Sequence, residues 1–431
     1  MRAATRTRRR AKAAPPLTLA LALVAFLPAT ADAQFTLADG DAATLTLGGY
    51  VRTLTGIHDL GYSIPETSFS AATPRQSGFH GQVARVKWQL EGGPGTAGAG
   101  TSWRVDVHNR VQTRISSVET GDQVVGFGVS AVPQRLLDLE SDLVDEPGLR
   151  VWHDIDRLSF SVYTDVADIT VGRQAITWGT SGLFPIADLW AQFSPFELDT
   201  EEKPGIDAAR VLVYPGAGWE LDAVIADRGR AEDLSAGIRG TYGLSSADLW
   251  MGGGKFWREL LAMGGVTFLL DETKLRAEAV LPWDLDADAM QDPRVTLGAD
   301  WIRGTLMITG EYHYNGIGAA PDSYLQALQD PRVRRGETYY IGRHYLGGLV
   351  NWSPDRENRL NLALTTLTNL EDPSLAVTPM LSYDLGQATR FALGGLLSFG
   401  EPPVFTTIPP AFPSEFGAYG TLGYTQLSIY F

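Results

Sequence analysis

The sequence predicts an all-β fold, a transmembrane antiparallel β-barrel of about eighteen strands, and three observations carry that reading. Short segments alternate polar and apolar side chains with period 2, as strands with two unlike faces must. Glycines number 47 and aromatic residues make up 10% of the chain. The connections between the alternating segments sort into long and short by parity, as barrel loops and turns do. Past the N-terminal region no stretch approaches 18 consecutive apolar residues, so a membrane-crossing helix is not expected.

At the N-terminus, Arg2, Arg6, Arg8, Arg9, Arg10 and Lys12 form a basic region. Leu17 to Leu27 form an apolar core, and Ala31-Asp32-Ala33 is a small-x-small cleavage site. Residues 1–33 therefore read as a cleaved signal peptide and residues 34–431 as the barrel. Cleavage would leave 29 basic against 49 acidic residues, a net charge of -20. Such acidity argues against nucleic acid as a partner, because no basic surface is free to displace phosphate counterions. The absence of cysteine excludes disulfides and thiolate metal sites, and suits passage through an oxidising periplasm.

The alternation predicts strands at 44–56, 79–91, 101–112, 157–166, 168–177, 207–214, 219–227, 235–242 and 247–256. It continues at 260–270, 274–282, 294–303, 305–314, 344–353, 359–368, 375–385, 389–399 and 417–431. It is cleanest early: Ala84, Val86, Trp88 and Leu90 oppose Arg85, Lys87, Gln89 and Glu91, and Trp103, Val105 and Val107 oppose Arg104, Asp106, His108 and Arg110. A soluble sandwich would show the same period. Loop parity separates the two, since 57–78, 113–156, 178–206, 283–293, 315–343 and 400–416 are long, whereas 92–100, 215–218, 271–273 and 386–388 are short. A sandwich has no reason to sort loops this way; a barrel has short periplasmic turns and longer extracellular loops. Eighteen strands enclose a lumen wider than side chains fill, hence a channel or a plugged pore. Turn sequences Pro215-Gly-Ala-Gly218 and Ser353-Pro-Asp-Arg356 fall at the periplasmic end, and Trp88, Trp103, Trp301, Trp352, Tyr430 and Phe431 are candidates for interfacial aromatic belts.

The chain ends with Leu427, Ile429 and Phe431 on one strand face. A terminal strand closing on Phe resembles the signal by which outer-membrane barrels of Gram-negative bacteria are recognised for assembly. Internally, Gly172-Arg173-Gln174-Ala175-Ile176-Thr177-Trp178-Gly179 follows Asp156-Arg157-Leu158 and precedes Asp188, Phe193-Ser194-Pro195-Phe196 and Lys203-Pro204-Gly205-Ile206-Asp207. This stretch resembles a motif of porin-like and alginate-export-like outer-membrane barrels, in which a Gly-Arg-Gln strand ends in Trp-Gly and runs into a long loop. The resemblance implies a Gram-negative outer membrane as the location. Lipid and lipopolysaccharide are then neighbours, and the barrel-assembly machinery a partner of the terminal strand.

Arg173 sits mid-strand, where a guanidinium facing hydrocarbon costs about 2–4 kcal/mol. It should point into the lumen, yet it shares parity with Ile169 and Val171, so a β-bulge at Gly172 is expected to switch its face. Connection 178–206 mixes apolar Leu183, Phe184, Leu189, Trp190 and Phe193 with acidic Glu197, Asp199, Glu201 and Glu202. It reads either as a constriction folded into the pore or as a surface loop packed on its neighbours. In the first case Arg173 and Arg210, with Gln174 and Trp178, face Asp188, Glu197 and Asp207 across a narrowed passage, and opposed charges orient polar solutes. Arg85, Lys87, Arg104, Asp106 and Arg110 are expected in the lumen wall, with charges too mixed to give the solute's sign.

The D-x-D-x-D run Asp284, Asp286, Asp288 has Ala289 where a calcium loop wants Gly and Val295 where it wants Glu, so it reads as a solvated loop and no metal is expected. None of the six histidines sits in a hydrolase motif, and His108 reads as a structural lumenal residue. Neither an enzyme nor a cofactor is expected. The function that remains is a channel passing small polar solutes or a polysaccharide; a plugged barrel acting through its loops, as adhesin or assembly partner, is the alternative.

Overall fold

Residues Thr273 to Asp284 show how sequence becomes wall. Leu275, Leu281 and Trp283 are exposed on one face, while Arg276, Glu278 and Val280 are buried on the other. Repeated around a closed sheet, that alternation puts an apolar surface outside and a charged lining inside. The computed structural model describes residues 34–40, 42–65, 73–93, 100–117, 135–407 and 409–431, and the expected signal peptide lies outside them.

Eighteen antiparallel strands form the ring. They are β1 (Ala43–Asp59), β2 (Gln76–Gly92), β3 (Ser102–Ser116), β4 (Leu149–Tyr163), β5 (Ala167–Gln174) and β6 (Ile206–Gly216). Next come β7 (Trp219–Ala226), β8 (Ser235–Gly243), β9 (Ala247–Phe256), β10 (Glu259–Leu270), β11 (Thr273–Asp284) and β12 (Arg294–Arg303). The last are β13 (Leu306–Asn315), β14 (His344–Trp352), β15 (Leu360–Asn369), β16 (Ser374–Asp384), β17 (Thr389–Phe399) and β18 (Thr421–Tyr430). Each pairs with its neighbours in sequence, and β18 closes on β1 from Tyr50 opposite Tyr430 to Asp59 opposite Thr421. Short strands Gln34–Asp39 and Glu140–Glu146 extend the sheet; the first pairs with Thr44 to Gly48 of β1, just beyond where β18 ends. Connections 60–75, 117–148, 175–205, 316–343 and 400–420 lie at one end and are long, although Trp257–Arg258 at that same end is tight.

Four expectations change. Strand β4 begins at Leu149, eight residues earlier than its alternation shows, because Asp156 is an extra residue in the pairing with β3 and places Asp156 and Arg157 consecutively inward. The connection after β3 is correspondingly shorter, and β5 ends at Gln174. Gly172 does switch the face of Arg173, but without a bulge: the register with β4 and β6 is unbroken, and a backbone φ of +114° makes the turn. Such a φ suits glycine alone, and a Cβ there would lie 2.2 Å from the Leu158 carbonyl oxygen. Finally, Tyr430 and Phe431 leave the aromatic belt. The Tyr430 hydroxyl points inward and donates to Glu201 at 3.1 Å. Phe431 is buried over Gly49, to which its backbone is doubly hydrogen-bonded, and where a Cβ would come within 2.9 Å of its ring. Trp88 and Trp352 are exposed at the short-connection end, joined by Tyr214, Trp219 and Tyr383.

Two of the long connections, 316–343 and 400–420, pack on each other at the long-connection end. Glu415, in the last of them, accepts from the Ile341 N–H at 3.1 Å, the Tyr345 hydroxyl at 2.6 Å and the Asn369 amide at 2.8 Å. Burial pushes its carboxyl up to about 7 against the pull of these donors.

Two outcomes follow from this construction. Gly172→Ala loses at least about 1–3 kcal/mol of stability through the strained φ, read as a lower urea midpoint of the refolded barrel. Because the folded-state value of Glu415 lies above the unfolded one, folding takes up a proton between roughly pH 4.5 and 7. Its contribution to stability therefore falls as pH rises through that window and is flat above it, by at most about 3 kcal/mol. Thermal midpoints measured across that range should decline in the native protein and decline less in Glu415→Gln.

Candidate functional site: the lumenal loop and its two walls

The segment 175–205 between β5 and β6 crosses the lumen. Its first half contributes Ile176, Trp178, Ile186, Leu189 and Trp190 to an apolar cluster with inward side chains of β6, β7, β9, β10 and β11, among them Val224, Trp250, Phe256, Met263 and Val280. Trp178 meets Trp190 edge-on at 5.1 Å, and Trp190 meets Phe256 at 4.8 Å. Phe184 and Phe196 enter a second cluster with Tyr340, Tyr345, Phe416, Leu422 and Tyr424. Burying each large apolar side chain stabilises the arrangement by about 1.5–3 kcal/mol. The apolar residues of the segment are thus what hold it inside.

Polar contacts then fix its two ends to opposite walls. On one wall, Glu311 of β13 accepts from the backbone N–H groups of Gly182, Leu183 and Phe184 at 2.8–3.0 Å. Glu278 of β11 accepts from the Thr180 hydroxyl at 2.5 Å and from its N–H. Arg276 ties Glu311 to Asp300. On the other wall the roles reverse, because the loop supplies the carboxylates. Asp199 and Glu201 pair with Arg52 of β1, the latter at 2.8 Å, and Glu202 pairs with Lys87 of β2. Burial pushes the Glu202 carboxyl up, but Lys87, Arg85 and Arg157 outweigh it and hold the group below its ordinary value. The loop therefore spans an acidic wall and a basic one.

The residues singled out by sequence fall within this frame, but their pairing differs from the expectation. Arg173 and Asp207 do not oppose each other across a passage; they are register partners on adjacent strands, bonded at 2.8 Å and 3.0 Å. Arg173 also donates to the Ile155 carbonyl at 2.8 Å and to that of Leu137. Arg210 pairs within the wall, to Asp222 at 2.7 Å and 2.9 Å, and the Trp178 indole N–H donates to the same carboxylate at 2.7 Å. Asp188 meets Lys203 of its own loop at 2.5 Å. Burial pushes the Asp188 carboxyl up and the Lys203 ammonium down, each toward its neutral form. Gln174 donates to the Thr170 and Ala208 carbonyls at 3.2 Å, a structural role. Glu197 lies in the loop, its N–H donating to the Ser194 carbonyl. Arg173, Asp207 and Asp188, all buried, each have an opposite partner at hydrogen-bonding distance, as suits ions whose desolvation alone costs several kcal/mol.

Of the expected wall residues, Arg85 bonds Asp156 at 2.8 Å, Arg110 bonds Asp154 at 2.9 Å, and Arg104 bonds Asp106 at 2.8 Å. Arg135 joins this set, reaching Asp154 at 3.1 Å and Asp156 at 2.9 Å. Sequence reasoning missed Arg52, Arg135, Asp154, Asp222 and Glu311 as site residues. The cost argument applied to Arg173 reaches the mid-strand Arg52, Asp222 and Glu311 equally; Arg135, in a loop, carries no such signal. The acidic run at 284–288 is occupied by its own turn, with Asp286 paired to Arg258 and Asp284 accepting from the Asp286 and Ala287 N–H groups.

No family model matches the chain, and no curated protein sequence matches it. Among solved structures it is similar to the outer membrane protein OpdK from Pseudomonas aeruginosa, at 9% identity and a TM-score of 0.54, over 91% of this chain and 98% of that one. It is similar to OccAB1 of Acinetobacter baumannii at 12% identity and a TM-score of 0.52, over 92% of this chain and 98% of that one. It is likewise similar to OpdL of Pseudomonas aeruginosa at 11% identity and a TM-score of 0.52, over 90% and 98%. At such identities the likeness is one of fold: a closed antiparallel barrel.

Proposed function

We propose that this chain is a porin-like channel of a Gram-negative outer membrane, passing small polar solutes through a lumen narrowed by residues 175–205. The observation that carries the reading is the loop's suspension between the basic side chains of β1 and β2 and the acidic side chains of β11 and β13. Opposed rows of charge set a transverse field, which orients dipolar solutes and sets ion preference. The apolar outer face fits a bilayer, and the exposed Trp and Tyr residues at the short-connection end fit its interface. The inward packing of three long connections favours single small solutes over a polysaccharide chain.

That same packing supports one other reading, a plugged barrel whose role lies in its outer loops, since two apolar clusters fill part of the lumen. Planar-bilayer recording separates the two. The channel gives stepwise conductance, deletion of 183–202 raises it at least about twofold, and Lys87→Ala, which removes a lumenal cation and leaves Glu202 paired only with the more distant Arg157 at 3.8 Å, shifts selectivity toward cations. Absence of steps in both the native protein and the deletion would sink the channel reading.

A further inference from the structure

Below the loop's acidic end, toward the short connections, lies a cavity of about 310 Å³ lined by Gln34, Tyr50, Lys87, Gln89, His108 and Tyr430 together with the backbone of Gly48 and Gly49. Its volume is at the low end of the roughly 300–1,000 Å³ typical of small-molecule sites. The charges around it are already spent on one another. Lys87 pairs with Glu202, Arg52 with Asp199 and Glu201, and Arg85 with Asp156. Of the neutral groups, the Gln34 amide donates to Thr46 at 2.7 Å, the Gln89 amide to Glu91 at 3.0 Å and the Tyr430 hydroxyl to Glu201, which leaves to a solute their remaining donors and acceptors, the Tyr50 phenol and the His108 imidazole. Two of these groups hold buried polar atoms with no hydrogen-bond partner among the described residues, the Tyr50 hydroxyl and His108 Nδ1. Leaving such buried atoms unpaired is costly, and a ligand hydroxyl would relieve that cost. Tyr50 is also held in place in advance: it is 1% exposed, the Arg52 guanidinium lies 5.1 Å from its ring centre, and the Tyr430 ring packs at 6.0 Å.

We infer that this cavity is a subsite for a neutral polyhydroxylated solute the size of a single sugar, with the Tyr50 hydroxyl and His108 Nδ1 bonding its hydroxyl groups and the Tyr50 and Tyr430 rings its apolar face. A polyol supplies donors and acceptors in close succession, which is what phenol, imidazole and amide groups together can satisfy. An anion would have to compete with Glu202 for Lys87. The inference deepens the channel reading and rests on it for its biological sense, but binding itself is measurable without conductance.

The test is titration calorimetry of the refolded barrel in detergent with D-glucose and, separately, with gluconate, which has a similar hydroxyl pattern and a negative charge. Glucose is expected to bind and gluconate to bind at least tenfold more weakly. Tyr50→Phe removes only the unpartnered oxygen, so it keeps the fold and lowers glucose affinity about tenfold; Gln89→Ala provides a second, independent loss. No heat with glucose, tighter binding of gluconate, or unchanged affinity in Tyr50→Phe each overturns the inference. A protein that binds glucose but conducts no ions keeps the subsite and loses the channel, while a conducting protein that ignores glucose does the reverse.

Discussion

Everything in this molecule depends on where the charges of its strands are allowed to point. A ring closed by β1 against β18 has no free edge, and its outer face is apolar, so charged side chains on strands collect in the lumen. There they cannot stay isolated, because buried ions without partners are costly. Arg173 with Asp207, Arg210 with Asp222 and Arg276 with Asp300 and Glu311 settle this within the wall. Arg52 and Lys87 draw their partners from elsewhere, the carboxylates of residues 199–202. A loop inside the barrel is thus partly a consequence of the wall's own unbalanced charge.

The same segment answers a hydrophobic problem. Strands β6 to β11 carry inward apolar residues such as Val224, Met263 and Val280, which in an open water-filled lumen would be wet. Ile176, Trp178, Ile186 and Trp190 cover them. Covering apolar wall on one side and neutralising basic wall on the other requires a segment whose composition changes along its length, apolar first and acidic later. Its sequence has that order.

This is also why the fold was more legible than the site. Period 2 and loop parity are local signals, and they place all eighteen strands within a few residues except where Asp156 interrupts the alternation of β4. Arg173 was readable as inward from the cost of the alternative, and Gly172 as the position that allows it, although a positive φ rather than an inserted residue does the work. Pairings were not readable in the same way. Arg52 lies 147 residues from Asp199, and Gly182 lies 129 from Glu311. Nothing in the spacing of either ties it to its partner; only closure of the ring brings β1 and β13 to face the same loop. Arg173 does meet the expected Asp207, but on the adjacent strand rather than across a passage, and Arg210 takes Asp222 of the neighbouring strand, a partner outside the motif.

The two ends of the lumenal loop are consequently held by different physics. Around Trp178 to Trp190 the contacts are buried apolar surface and backbone N–H groups bonded to the buried Glu311, neither of which salt screens effectively. Around residues 199–202 they are ion pairs in which Asp199, Glu201 and Lys87 are each about a third exposed, so water and salt reach and weaken them. The acidic end is therefore the weaker attachment, and it is the end bonded to Lys87 and Tyr430, which line the cavity beside Tyr50. In the proposed channel, a solute moving along the basic wall would meet the part of the loop that costs least to displace. The apolar end meanwhile keeps the segment from leaving the barrel. Under that reading, narrowing and passage are compatible because the loop is anchored unevenly.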